Sequence, residues 1–80
     1  MDVEFTIRKI IEGIVFYPKE IHITKISPKF SRTVIFELRV NKKDLGIVIG
    51  KRGRMAKSLR VYIAALSAKN HQHFILDIIS

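Results

Sequence analysis

Gly50 and Gly53 bracket Lys51 and Arg52, and an apolar run containing a further glycine (Gly46-Ile47-Val48-Ile49) leads into them. Glycine lacks a side-chain barrier, permits positive φ and lets backbone N–H groups come close to an oxyanion. A helical pattern begins at Gly53 or Arg54, so the free N–H groups and positive dipole end of that helix would point at the same place. Two cations flank the loop. The chemistry on offer is the binding of a phosphate.

The charge of the whole chain points the same way. Its 80 residues carry a formal net charge of +8, and no acidic residue lies between Asp44 and Asp77. That interval holds Lys51, Arg52, Arg54, Lys57, Arg60 and Lys69, five of them within ten residues around the loop. A one-sided positive field of this kind attracts polyanions. The hydrophobic fraction of 48% suits a globular fold and argues against disorder. No apolar run approaches the ~20 residues of a membrane span, and Met-Asp-Val-Glu has neither the basic start nor the apolar core of a signal peptide. A cytoplasmic protein is expected. With no cysteine, disulfides and thiolate metal sites are out of reach.

The elements that must hold the loop can be read in order. Asp2 is placed to cap a first helix whose Val3, Ile7, Ile10 and Ile14 recur at helical spacing, with Phe5 and Ile11 at the margins. Gly13 and Pro18 predict its end near Val15 to Tyr17. Residues 20–27 read as a strand with Ile21 and Ile23 on one face. After turn chemistry at Ser27-Pro28-Lys29-Phe30-Ser31, residues 32–40 read as a second strand. Val34, Phe36, Leu38 and Val40 share one face of it; Thr33, Ile35, Glu37 and Arg39 share the other. Asn41 or Asp44 would cap a short helix over 44–49. A longer helix to about Lys69 has a predicted core stripe of Met55, Leu59, Tyr62 and Leu66, with Ile63 beside it and Asn70 as its stop. Residues 72–79 read as a last strand, with Phe74, Leu76 and Ile78 inward and His73, Ile75, Asp77 and Ile79 outward. The order α-β-β-α-α-β allows a mixed three-stranded sheet, its second strand central, antiparallel to the first and parallel to the third. One α+β domain over 1–80 is expected, with three helices on one face of the sheet.

The eight residues Gly46-Ile47-Val48-Ile49-Gly50-Lys51-Arg52-Gly53, followed by a helix, resemble the Gly-x-Ile-Ile-Gly-x-x-Gly motif of the KH domain. Over nearly the whole chain the order of elements is similar to the small bacterial single-KH proteins of the KhpA type. The resemblance implies a type II KH fold and a GxxG loop that grips the backbone of about four single-stranded nucleotides. Gly50, Lys51, Arg52 and Gly53 would be that loop, with Lys51 and Arg52 on phosphates. Bases would lie in an apolar groove walled by Gly46, Ile47, Ile49 and Ala56, with Ile75 opposite, while Val48 faces the core. Arg54, Lys57 and Arg60 would extend the phosphate track. Gly46 costs a helix roughly 1 kcal/mol against alanine, and its use would be close approach of a base. Ile47 departs from the polar or basic residue common at this place in the family. The resemblance further implies a non-enzymatic RNA chaperone or post-transcriptional regulator without cofactor. It would form a homodimer or pair with a larger multidomain KH protein of the KhpB type.

Other functions fit less well. A Walker A loop needs four residues between its glycines and Ser or Thr after the lysine; Gly46 and Gly50 enclose three, and Arg52 follows Lys51. His22, His71 and His73 have no cysteine or suitably spaced carboxylate to complete a zinc site. The Ser and Thr residues show no nucleophile–base pattern. Two alternatives stay open: a single-stranded DNA binder, since the clamp needs no 2′-hydroxyl, and a KH-fold dimerisation module using Ile35, Ile75, Ile79, Ala64, Ala65 and Ala68.

Overall fold

A computed structural model describes residues 2–80 and gives the expected α+β order. The elements are α1 (Val3–Glu12), β1 (His22–Ile26), β2 (Thr33–Arg39), α2 (Lys42–Ile49), α3 (Arg54–Asn70) and β3 (His73–Ile78), with a single 3-10 turn at Pro18–Glu20 and another at Lys51–Gly53. The sheet order is β1-β2-β3. β1 runs antiparallel to β2, with Ile23 opposite Leu38 and Ile26 opposite Ile35. β2 runs parallel to β3, with Phe36 opposite Leu76 and Ile35 opposite Ile75. The α2–α3 crossover makes the parallel pairing possible, because a hairpin cannot return a chain in the same direction.

Period-two alternation gives the sheet one buried face. Val34, Phe36, Leu38, Phe74 and Leu76 lie under the helices, and the rings of Phe36 and Phe74 meet edge-to-face with centroids 5.7 Å apart. Thr33, Ile35 and Glu37 on the opposite face are half-buried, and His73, Ile75 and Asp77 are exposed. No helix among the described residues is long and apolar enough to cross a membrane.

The helices differ from expectation in phase and ends. α1 is capped by Asp2, whose carboxylate accepts the Phe5 N–H at 3.3 Å. It buries Val3, Ile7 and Ile11, leaving Ile10 and Ile14 at the edge of the core. Each β-branched residue costs the helix up to ~0.7 kcal/mol in propensity, whereas full burial of Ile or Val contributes about 1.5–3 kcal/mol. Packing wins. The helix stops at Glu12 rather than near Val15; Gly13 itself stays right-handed (φ −74, ψ −12), and the chain then redirects toward α2.

Asp44 causes that redirection. The side chain is fully buried; one oxygen accepts the Phe16 N–H at 2.9 Å and the other the Tyr17 N–H at 3.0 Å. It therefore does not cap α2. Asn41 does so, accepting the Lys43 N–H at 2.8 Å, and the helix starts at Lys42 instead of residue 44. A carboxylate in the first turn of a helix is favoured by the dipole, and two backbone donors offset its desolvation. In α3 the buried set is Ala56, Leu59, Ile63 and Leu66. Tyr62 is 41% exposed while Ile63 is 2% exposed, so the predicted stripe is rotated by one residue at that turn.

Asp44→Ala removes the acceptor of two part-buried backbone donors. Because hydrogen bonds to a charged group contribute a net ~1.5–3 kcal/mol each, while removing the buried carboxylate also removes its desolvation cost, it should lower unfolding free energy by roughly 2–3 kcal/mol. Asp44→Asn, with one acceptor oxygen left, should lose about half as much. Urea denaturation measures both; a loss below about 0.5 kcal/mol for the alanine variant would contradict this role.

Candidate nucleic-acid interface

The loop between α2 and α3 is exposed and sharply turned. α2 closes with the Gly50 N–H donating to the Gly46 carbonyl at 2.8 Å, and Val48, fully buried, pins its last turn to the core. Gly50 then takes φ 80, ψ 169, a conformation open in practice only to glycine. The Gly53 N–H donates back to the Gly50 carbonyl at 3.1 Å, and the Arg54 N–H to the Lys51 carbonyl. Arg52 (φ 58) and Gly53 (φ 73) are left-handed. For arginine that conformation costs roughly 1 kcal/mol. The chain thus reverses within four residues and enters α3 with no side-chain cap at its N-terminus.

The two glycines are required for different reasons. A Cβ on Gly50 would sit 2.6 Å from both the backbone nitrogen and Cβ of Met55, so the loop lies directly on the first turn of α3. A Cβ on Gly53 would meet nothing within 4 Å; only its dihedral angle favours glycine. Met55 is the residue that sequence reasoning assigned wholly to the core stripe. It is half-buried and receives the loop, a close approach between backbones that no residue-type signal announces.

Lys51, Arg52, Arg54 and Lys57 surround this turn with exposed side chains. The ion pairs among the described residues, Lys9–Glu12 and Arg39–Glu37, involve none of them. Arg60 stands apart. Its Nε donates to the Leu76 carbonyl at 3.4 Å, and it borders a cavity of about 200 Å³ with Ile63, Phe74, Ile75 and Leu76. That guanidinium is engaged with β3 rather than aligned with Arg54 and Lys57.

Of the expected groove residues, Gly46 and Ile49 are exposed and Ile47 is half-buried. A Cβ on Gly46 would meet nothing within 4 Å, so the helix surface there is open. Ala56 is a correction. At 4% exposure, on the side of α3 turned to the core, it has almost no surface to offer as a groove wall. Ile75 is exposed beside Arg60 and pairs with Ile35 on the uncovered sheet face. The structure therefore gathers Gly50 to Arg54 into one site and places Ile75 with Arg60 in another.

The glycines should respond unequally to substitution. Gly53→Ala should cost about 1–2 kcal/mol, from the left-handed backbone alone. Gly50→Ala should cost more, adding a contact with backbone that cannot move aside. Thermal unfolding of the two variants under one buffer checks the order, and equal losses would contradict the packing of Gly50 on Met55.

With this geometry in hand, the chain can be set beside known proteins. The family model for the KhpA/KhpB KH domain matches residues 4–78. The RNA-binding protein KhpA of Listeria monocytogenes is 38% identical over 76 residues, covering 95% of this chain and 97% of the relative. That of Chlamydia caviae is 36% identical over 69 residues, 86% of each chain. That of Clostridium perfringens is 34% identical over 70 residues, 88% of this chain and 91% of the relative. No solved structure matches. The GxxG turn, its place between two helices and the match over 4–78 agree: the chain belongs to the KhpA/KhpB KH-domain family.

Proposed function

We propose that this protein binds single-stranded RNA through the 50–53 loop, without catalysing a reaction. One observation carries the reading: an exposed turn with three positive φ angles opens onto the uncapped N-terminus of α3, with Lys51 and Arg52 at its tip. The positive dipole end at a helix start favours an anion. Lys51 and Arg52 hold two phosphates, and Arg54 and Lys57 continue the track along α3. Bases lie over the open surface at Gly46, Ile47 and Ile49. The relatives named as RNA-binding proteins support the ligand class. The expected cellular role is that of an RNA chaperone or post-transcriptional regulator in the cytoplasm.

A second reading rests on α3. Val61 and Tyr62, together with Ala64, Ala65 and Ala68, leave an apolar stripe exposed on its outer side. That stripe suits self-association or pairing with a larger KH protein of the KhpB type. Two loops on one assembly would raise avidity without new contacts.

Lys51→Asp/Arg52→Asp should abolish RNA retention while leaving thermal unfolding nearly unaltered, since both side chains are exposed and aspartate tolerates the left-handed region. If about four phosphates are neutralised, the log–log salt dependence of wild-type binding should have a slope near −3. A matched DNA strand tests the role of the 2′-hydroxyl. Undiminished binding by the double variant would reject the loop as the site. Gly46→Ala gives a separate check: about 1 kcal/mol more stable, yet weaker in RNA binding if a base lies against α2.

A further inference from the structure

The turn between β1 and β2 holds an aromatic ring in solvent. Phe30 is 106% exposed, more than any other large apolar side chain among the described residues. Its backbone is left-handed, φ 60, where a bulky residue costs roughly 1 kcal/mol and asparagine or glycine would be at ease. Lys29 and Arg32 flank it, Lys25 lies on the adjoining strand, and the chain has no acidic residue between Glu20 and Glu37. The parallel pairing brings further polar side chains to the same end. The His73 N–H donates to the Arg32 carbonyl at 2.9 Å, so exposed His71 and His73 arrive beside the turn from the end of α3, just after Lys69. Asp2 approaches this region, lining a cavity with Lys25, but the ion pairs among the described residues include neither Lys29 nor Arg32.

This end is remote from the glycine loop. The loop is at the N-terminus of α3 and the turn near its C-terminus, 17 residues away, or about 25 Å at 1.5 Å per residue. We infer that the 27–32 turn is a second contact for the same single strand of RNA: Phe30 stacks on a base while Lys29 and Arg32 pair with flanking phosphates. Stacking on an aromatic ring tolerates any base, and cations beside it track the backbone. A second copy of the chain is a poorer occupant of this turn, because two facing tips would each bring Lys25, Lys29 and Arg32 and no acidic residue between Glu20 and Glu37. The inference rests on the RNA reading above, since a strand held at the loop raises the effective concentration of its remainder at the turn.

The test compares RNA strands of about 6 and about 20 nucleotides, titrated with wild type, Phe30→Asn, Phe30→Trp, Lys29→Ala/Arg32→Ala and Lys51→Asp/Arg52→Asp. Asparagine accepts the left-handed backbone, so the fold should be kept. Phe30→Asn should bind the long strand about tenfold more weakly and the short strand unchanged, with Phe30→Trp retaining both. Lys29→Ala/Arg32→Ala should make the salt slope on the long strand shallower by about 1.4. Wild-type-like binding of the long strand by Phe30→Asn overturns the inference, as does an equal loss on both lengths. A change in its sedimentation, which would assign the tip to self-association, also overturns it. The two sites separate cleanly: undiminished short-strand binding by Lys51→Asp/Arg52→Asp rejects the loop, whereas the long-strand result for Phe30→Asn decides the turn.

Discussion

Gly50 has no room for a side chain. Its α-carbon rests against the backbone of Met55 in the first turn of α3, and its dihedral angles are closed to other residues. That contact sets how tightly the chain turns between α2 and α3. It thereby decides where α3 begins, which side of it faces the sheet and how far the tip of the turn stands out. A looser connection would leave Lys51 and Arg52 on a flexible arm, at a higher entropic cost for every contact they make.

The rest of the fold keeps this turn in place. Val48, fully buried one residue before Ile49, fixes the end of α2 to the core, and Asp44 ties the start of α2 to the chain leaving α1. On the far side, Leu59, Ile63 and Leu66 anchor α3 over the sheet. Both helices that meet at the turn are thus held by side chains that point away from it. Among the described residues, the Lys51 and Arg52 side chains enter no ion pair, and the turn is closed by its own backbone bonds. A rigid frame around an open, cationic main-chain surface is what an anionic polymer can use without rearranging the protein.

Much of this was legible in the residues because the two periodicities are clean. The alternation of Val34, Phe36 and Leu38 identifies a strand with one buried face, and the spacing of Gly50 and Gly53 before a helical pattern identifies the turn. Misreadings came where one residue had two plausible uses. Asp44 looks like a helix cap from its neighbours, but a partner 28 positions earlier in the chain claims it. Tyr62 and Ile63 both fit an apolar stripe, and only the phase imposed by the turn selects Ile63. Ala56 is small enough for a groove wall by motif position, yet the same phase turns it inward. Long-range pairing and helix phase are tertiary decisions, and local pattern carries neither.

The central claim is that main-chain donors between Gly50 and the first turn of α3 meet the phosphates of a single strand. Amide chemical-shift mapping during titration with a short single-stranded RNA tests it most directly. The account predicts the largest shifts at residues 50–56, smaller ones at Gly46, Ile47 and Ile49, and little change at Thr24, Glu37 and Asp77 on the uncovered sheet face. Shifts concentrated on that sheet face, with the amides of 50–56 unmoved at saturation, would contradict it.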